Sequence, residues 1–113
     1  SGSLSISAGN NIKFKNGNDL SISGTLNAVG TFGNRINFIG NDGDEWNGLR
    51  FQNNSTGDLE YCLIDKATHG SSNGIFAQSP NSLSIDNCEI KNCDYGFYGQ
   101  NLTLAVTNSS FHN

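Results

Sequence analysis

The feature that most constrains the fold of this chain is a short motif in which a glycine precedes an apolar residue and a second large side chain. It occurs as Gly48-Leu49-Arg50, as Gly74-Ile75-Phe76 and as Gly96-Phe97-Tyr98. Each copy is followed by two more short apolar segments, so three short strands recur with a period of roughly 20 to 29 residues. Such a period is typical of a solenoid, in which each repeat buries its apolar side chains against its neighbours.

The first third of the chain contains shorter apolar-polar-apolar triplets, each of which predicts a minimal strand whose two apolar ends face inward. Turn residues, mostly Gly and Asn, separate them. A series of β-hairpins would also produce such triplets. In this chain, however, corresponding triplets recur at the length of one coil: Leu26 follows Leu4 by 22 residues, and Ile36 follows Ile12 by 24. This spacing favours parallel pairing between successive coils.

Alignment of the whole chain predicts three ladders of stacked inward side chains. Ladder X contains Leu20, Leu49, Ile75 and Phe97; ladder Y contains Leu4, Leu26, Leu59, Leu83 and Leu102; ladder Z contains Ile12, Ile36, Cys62, Cys88 and Ser109. The predicted fold is all-β, a right-handed parallel β-helix of about four to five coils with three short parallel sheets. We expect a single β-helix domain over residues 1–113 and no end cap within it.

This arrangement resembles the repeat region of secreted and surface-displayed bacterial β-helix proteins. The resemblance covers essentially the whole chain and is clearest in Ser23-Gly24-Thr25-Leu26-Asn27-Ala28-Val29-Gly30-Thr31, Ile36-Asn37-Phe38 and Trp46-Asn47-Gly48-Leu49-Arg50-Phe51. It implies an extracellular or cell-surface location. Adhesins, surface proteins and polysaccharide-degrading enzymes all carry such regions, so the resemblance implies a fold more than a function.

Composition excludes several classes of partner. The net charge of −4 comes from scattered residues, which argues against a nucleic-acid surface. No apolar run reaches the roughly 20 residues that a membrane-spanning helix needs. The three cysteines do not have zinc-site spacing. Cys62 and Cys88 lie one coil apart, where buried free thiols are favoured over a disulfide because parallel side chains seldom offer the required torsion, and Cys93 stands at a corner.

The sequence offers little for catalysis. A hydrolase would need two acids on one face, and a lyase would need calcium ligands beside a base. Asp86, Glu89 and Asp94 are near one another in the chain, but Asp86 and Glu89 belong to different strands. The clustered Asp motifs of pectin hydrolases are missing. We therefore expect a protein that is not an enzyme.

Strand alternation predicts one unusual surface. Because Leu49, Ile75 and Phe97 of ladder X point inward, Arg50, Phe76 and Tyr98 should point outward, one above another. Aromatic and Arg side chains are enriched at contact sites, so this strip is a candidate ligand-binding surface. The alternative is a ladder that only stabilises its own sheet.

Two further candidates lie in or beside the loop at residues 39–45. Trp46 is either a platform for stacking a sugar or a large apolar side chain folded over the corner of the core. Asp42, Asp44 and Glu45 are weak candidates for calcium ligands, with a solvated acidic loop as the alternative. No other cofactor is expected.

Leu4 and Phe111 already belong to predicted strands, so no amphipathic cap is expected at either end. The chain is then either a segment of a longer surface protein or a unit that stacks head to tail into a fibre. We expect a non-enzymatic structural and adhesive module whose partners are further β-helix coils or copies of itself. The alternative is a carbohydrate-binding or polysaccharide-degrading fragment that uses the outward strip, with or without the acidic loop.

Overall fold

The computed structural model describes residues 2–70 and 73–112. Within them the chain forms fourteen strands, numbered in chain order, and no helix. Sheet Y contains β1 (Ser3–Ile6), β4 (Thr25–Val29), β7 (Thr56–Glu60), β10 (Ser82–Asp86) and β13 (Leu104–Thr107). Sheet Z contains β2 (Asn11–Phe14), β5 (Ile36–Gly40), β8 (Cys62–Asp65), β11 (Glu89–Lys91) and β14 (Ser110–His112). Sheet X contains β3 (Leu20–Ile22), β6 (Leu49–Phe51), β9 (Asn73–Gln78) and β12 (Tyr95–Gln100).

The strand order makes the chain a parallel β-solenoid of about four turns, which confirms the predicted fold. Each inner strand pairs in parallel with the strand one coil before it and the strand one coil after it. Backbone groups of every inner strand are therefore paired on both sides, as in the middle of any sheet. Among the described residues there is no helix that is long and apolar enough to cross a membrane.

The register of sheet X agrees with the prediction at every level. Leu20 pairs with Leu49, Leu49 with Ile75, and Ile75 with Phe97. The repeated glycine motif identifies these positions because it immediately precedes the inward residue in three successive coils. The outward neighbours of these residues are consequently aligned as well.

The predicted register of sheet Y is wrong by two residues in its third and fifth coils. Leu26 pairs with Gly57 instead of Leu59, and Leu83 pairs with Gly57 on one side and Leu104, not Leu102, on the other. A shift of two residues keeps every side chain on the same face, so the apolar pattern does not distinguish the two registers. The position between Leu26 and Leu83 is a glycine, Gly57, because a Cβ at this position would meet the ring of Phe51.

Sheet Z contains one similar error, in its first coil. Ile12 pairs with Phe38, two residues beyond the predicted Ile36. Ile36 does pair with Cys62, as expected. In the last two coils, Ser109 lies beside Cys88, because the backbone amide of Cys88 donates to the Ser109 hydroxyl at 3.1 Å.

The core is a column of inward side chains from all three sheets. Its largest fully buried members are Trp46, Phe38, Phe51, Leu26, Ile36, Leu49, Leu59, Ile64, Ile75, Leu83, Ile85 and Ile90. The corner between sheets Y and Z is turned in three successive coils by one residue with positive φ, namely Tyr61, Asn87 and Asn108. The same sharp turn in each coil keeps the sheets in register and presents a flat outer face on each.

Candidate functional site

The outer face of sheet X carries the predicted strip. Arg50 pairs with Phe76, and Phe76 pairs with Tyr98, so the three side chains stand one above another. The rings of Phe76 and Tyr98 are stacked, with centroids 5.4 Å apart and planes inclined by 18°. The guanidinium carbon of Arg50 lies 4.4 Å from the centroid of the Phe76 ring. The strip is thus one continuous stack of planar groups.

Asp19 holds the lower end of this stack. Its carboxylate oxygen Oδ2 lies 3.8 Å from Nε of Arg50, with both side chains about one-third exposed. An ion pair this exposed contributes little by itself, and the contact between cation and ring adds about 0.5–1 kcal/mol. Together they hold the guanidinium flat against Phe76 and leave Tyr98 as the exposed end of the stack.

A cleft of about 440 Å³ opens beside Tyr98. Its lining residues are Asn73, Phe76, Tyr95, Phe97, Tyr98 and Gln100. Tyr95 pairs with Asn73, so these two side chains belong to neighbouring coils at the start of β12 and β9. Sequence reasoning identified Phe76 and Tyr98 but missed Tyr95, Asn73 and Gln100. The sequence contains a signal for two of these residues. Asn73 and Tyr95 both occupy the position just before the repeated glycine, in consecutive motifs.

Trp46 lies inside the protein, which corrects its interpretation as a surface platform for sugars. Its side chain is fully buried and stacks on Phe14 at a centroid distance of 4.1 Å and an angle of 5°. Its indole Nε1 donates a hydrogen bond to the backbone carbonyl of Asp65 at 2.8 Å. A large apolar ring with a satisfied polar atom is stabilised by burial, so Trp46 closes the corner of the core.

The acidic loop is held by backbone contacts to its neighbours. The amide of Asp44 donates to the carbonyl of Asn41 at 2.9 Å, and the amide of Glu45 donates to Oδ1 of Asn16 at 2.7 Å. Asp42 and Glu45 are exposed. In the part of the chain that the structure describes, no three His, Cys, Asp or Glu side chains are grouped to hold a metal ion. A calcium site formed by Asp42, Asp44 and Glu45 stays a prediction.

All three cysteines are buried free thiols, as the sequence favoured. The Cys62 thiol donates to the carbonyl of Ala28 at 3.3 Å, and the Cys88 thiol donates to that of Leu59 at 3.4 Å. Hydrogen bonding to Cys88 and burial both raise the pKa of the Cys62 thiol. Burial also raises the pKa of Cys93. The hydrogen bond with Cys62 instead lowers the pKa of the Cys88 thiol. Buried free thiols such as these act as small apolar side chains.

The carboxylates that sequence reasoning considered for catalysis have separate structural partners. Asp86 accepts a hydrogen bond from the hydroxyl of Thr107 at 2.6 Å. Glu89 forms an ion pair with Arg35 at 3.0 Å. The Asp86 contact joins neighbouring coils, and the Glu89 contact joins coils that are two apart in sheet Z. That the chain is not an enzyme stays a prediction.

The outer face of sheet Y carries three carboxylates close together, and this arrangement predicts a pH effect on stability. Partial burial, followed by repulsion from Asp58 and Asp86, raises the pKa of Glu60. Because the folded state then binds the proton more tightly than the unfolded state, this contribution to stability is present at low pH and is lost as pH rises through the folded-state pKa. We expect Glu60→Gln to stabilise the protein relative to wild type at pH 7 and to lose most of that advantage at pH 4.

Urea denaturation at the two pH values measures this effect. Glu45→Gln, which removes an exposed glutamate of the acidic loop, is the matched control. An equal advantage of Glu60→Gln at both pH values would contradict the prediction.

Comparison with known proteins finds no matching family model, no similar curated protein and no similar solved structure. The strand pairing itself establishes the parallel β-solenoid. By its architecture the chain is a parallel β-solenoid with an aromatic strip and a cleft on one outer face.

Proposed function

We propose that this chain is a non-enzymatic structural and adhesive module of an extracellular or cell-surface protein, and that its end coils pair with further β-helix coils or stack head to tail on copies of itself. The observation that carries the proposal is that each sheet ends in an outermost strand at both ends of the solenoid. These strands are β1, β2 and β3 at one end of the solenoid and β12, β13 and β14 at the other. Their outer N–H and C=O groups form a ready template for further strands.

The side chains at the two ends support the same conclusion. Leu4 in the first coil and Leu104 and Phe111 in the last are exposed, although all three face the core. Their counterparts in the inner coils, such as Leu26 and Leu83, are almost completely buried. Adding a coil at either end would bury these side chains, at about 25 cal/mol for each Å² of apolar surface removed from water.

The two end faces also match in register. The level that contains Leu4 and Leu26 runs through Gly57 and Leu83 to Leu104, so Leu104 would lie beside Leu4 of the next copy. In sheet Z the same continuation places Phe111 beside Ile12 of the next copy, whereas sheet X has one strand fewer and leaves a gap at the junction. Apolar side chains would therefore meet apolar side chains across the junction. The bacterial repeat resemblance supports the extracellular or cell-surface location.

Sedimentation velocity over a range of concentrations tests the stacking. We expect the wild-type sedimentation coefficient to rise with concentration, and we expect Leu104→Lys to remain a monomer because it places a charge on the end face. Leu104 is 38% exposed, so the fold should tolerate this change. Val29→Lys is the matched control, since Val29 is 42% exposed on an inner strand. A wild-type protein that is monomeric at every concentration would overturn the stacking proposal.

Cross-linking tests the register of the junction. The outward level that contains Ser5, Asn27, Asp58 and Ser84 ends at Ala105, which would lie beside Ser5 of the next copy at about the 4.8 Å spacing of paired strands. A chain with both Ser5→Cys and Ala105→Cys should give a ladder of covalent oligomers with a short bis-maleimide reagent. Each single variant should stop at a dimer. If the double variant sediments as an oligomer but gives no ladder of cross-linked products, this register is wrong.

A further inference from the structure

The cleft beside Tyr98 combines exposed aromatic rings with amide side chains. Tyr98 is 44% exposed and Tyr95 is 60% exposed, although large apolar rings are normally covered. Asn73 lies in the same cleft, in register with Tyr95, and Gln100 lies at the other end of β12. Each amide offers both a hydrogen-bond donor and an acceptor. A ligand that fits this surface needs a flat apolar face and several hydroxyl-type groups.

The charge of the cleft narrows the class of ligand further. None of the described residues that line it is an Asp, Glu, Lys, Arg or His. The nearby guanidinium of Arg50 is already engaged, with the Phe76 ring on one side and Asp19 on the other. Neither an anion nor a cation would find an opposite charge in the lining, and burying one there would be costly.

The stacked aromatic side chains of the cleft are held in place before a ligand binds. The Tyr98 ring is supported from below by Phe76, and Phe76 by Arg50, so little side-chain freedom is left to lose on binding. All of these residues stand on paired strands of sheet X, which is a rigid base for a site. The volume of about 440 Å³ is within the usual range for small-ligand sites.

We propose that the cleft formed by Asn73, Phe76, Tyr95, Tyr98 and Gln100 binds a neutral oligosaccharide. The apolar C–H face of a pyranose ring lies against Tyr98, and its hydroxyl groups exchange hydrogen bonds with the Asn73 and Gln100 amides.

Isothermal titration calorimetry with cellohexaose and mannohexaose, and with the acidic hexagalacturonate for comparison, tests the proposal. We expect at least one neutral hexasaccharide to bind, and we expect Tyr98→Ala and Tyr95→Ala each to weaken that binding by about tenfold or more. Tyr98→Phe keeps the ring and should change the affinity by less than about threefold. Phe32→Ala is the matched control, since it removes a ring that is 88% exposed at a distant corner.

The same titrations on the Leu104→Lys variant separate glycan binding from stacking, because this change lies on the end face and outside the cleft lining. Three outcomes would overturn the proposal: no binding of either neutral hexasaccharide, binding of hexagalacturonate alone, or neutral binding that Tyr98→Ala leaves unchanged. Displacement of a bound hydrophobic dye from the cleft by apolar peptides, without any oligosaccharide binding, would instead assign the surface to a protein partner.

Discussion

Gly48→Ala is expected to lower the free energy of unfolding by about 2–5 kcal/mol. Gly48 has a φ of +86°, a conformation that a residue with a Cβ adopts only with strain. The added methyl group would also meet the backbone carbonyl oxygens of Asn73 and Gly74 in the next coil. These are backbone atoms of a paired strand, so they give way only if sheet X opens at β6 and β9.

Urea denaturation followed by the fluorescence of Trp46, the single tryptophan, measures this cost. Gly43→Ala is the matched control because Gly43 has a similar φ of +89° but has open space around its Cβ position. Gly43→Ala should lower the free energy of unfolding only by the cost of the strained backbone conformation, about 1–2 kcal/mol. If Gly43→Ala and Gly48→Ala destabilise the protein equally, close approach between coils is not what requires the glycine.

Trp46→Ala is expected to cost about 3–5 kcal/mol. The substitution empties a fully buried site, removes the stacking partner of Phe14 and leaves the carbonyl of Asp65 without its indole donor. Trp46→Phe retains a ring against Phe14 and should cost less, mainly the loss of the hydrogen bond, at about 1–3 kcal/mol. Phe14 belongs to β2, while Asp65 ends β8, so Trp46 joins coils that are not direct neighbours in sheet Z.

Far-UV circular dichroism during urea denaturation measures this series, because the fluorescent probe is lost. Phe32→Ala is again the control, since removal of an exposed ring should change stability by less than about 0.5 kcal/mol. A Trp46→Ala protein as stable as this control would show that the corner of the core is not closed by the indole. Trp46→Phe should also keep any oligosaccharide binding, because Trp46 does not line the cleft.

Two features of the sequence were sufficient to predict the parallel three-sheet architecture. Short apolar triplets require strands whose alternate side chains face inward, and their recurrence at one coil's length requires parallel neighbours. The glycine motif then aligned sheet X, because the inward residue follows the glycine in three consecutive coils. The strip of Arg50, Phe76 and Tyr98 was therefore predictable residue by residue.

Tertiary packing decided between strand registers that the apolar pattern does not distinguish. In sheet Y, a shift of two residues preserves the buried face, so the choice between Gly57 and Leu59 opposite Leu26 depended on the space that Phe51 fills. Likewise, the orientation of Trp46 depended on whether Phe14 and the Asp65 carbonyl were within reach, and these residues come from two other coils.

The cleft shows the same division. The apolar and aromatic pattern identified Phe76 and Tyr98, while Tyr95, Asn73 and Gln100 joined them only through the stacking of β12 on β9. Local periodicity determines which face of a strand is buried, because alternation is a property of the backbone. The register between coils decides which side chains from different coils share a surface. That register depends on the side-chain volumes and turn lengths of a whole coil, which are fitted together only in the folded chain.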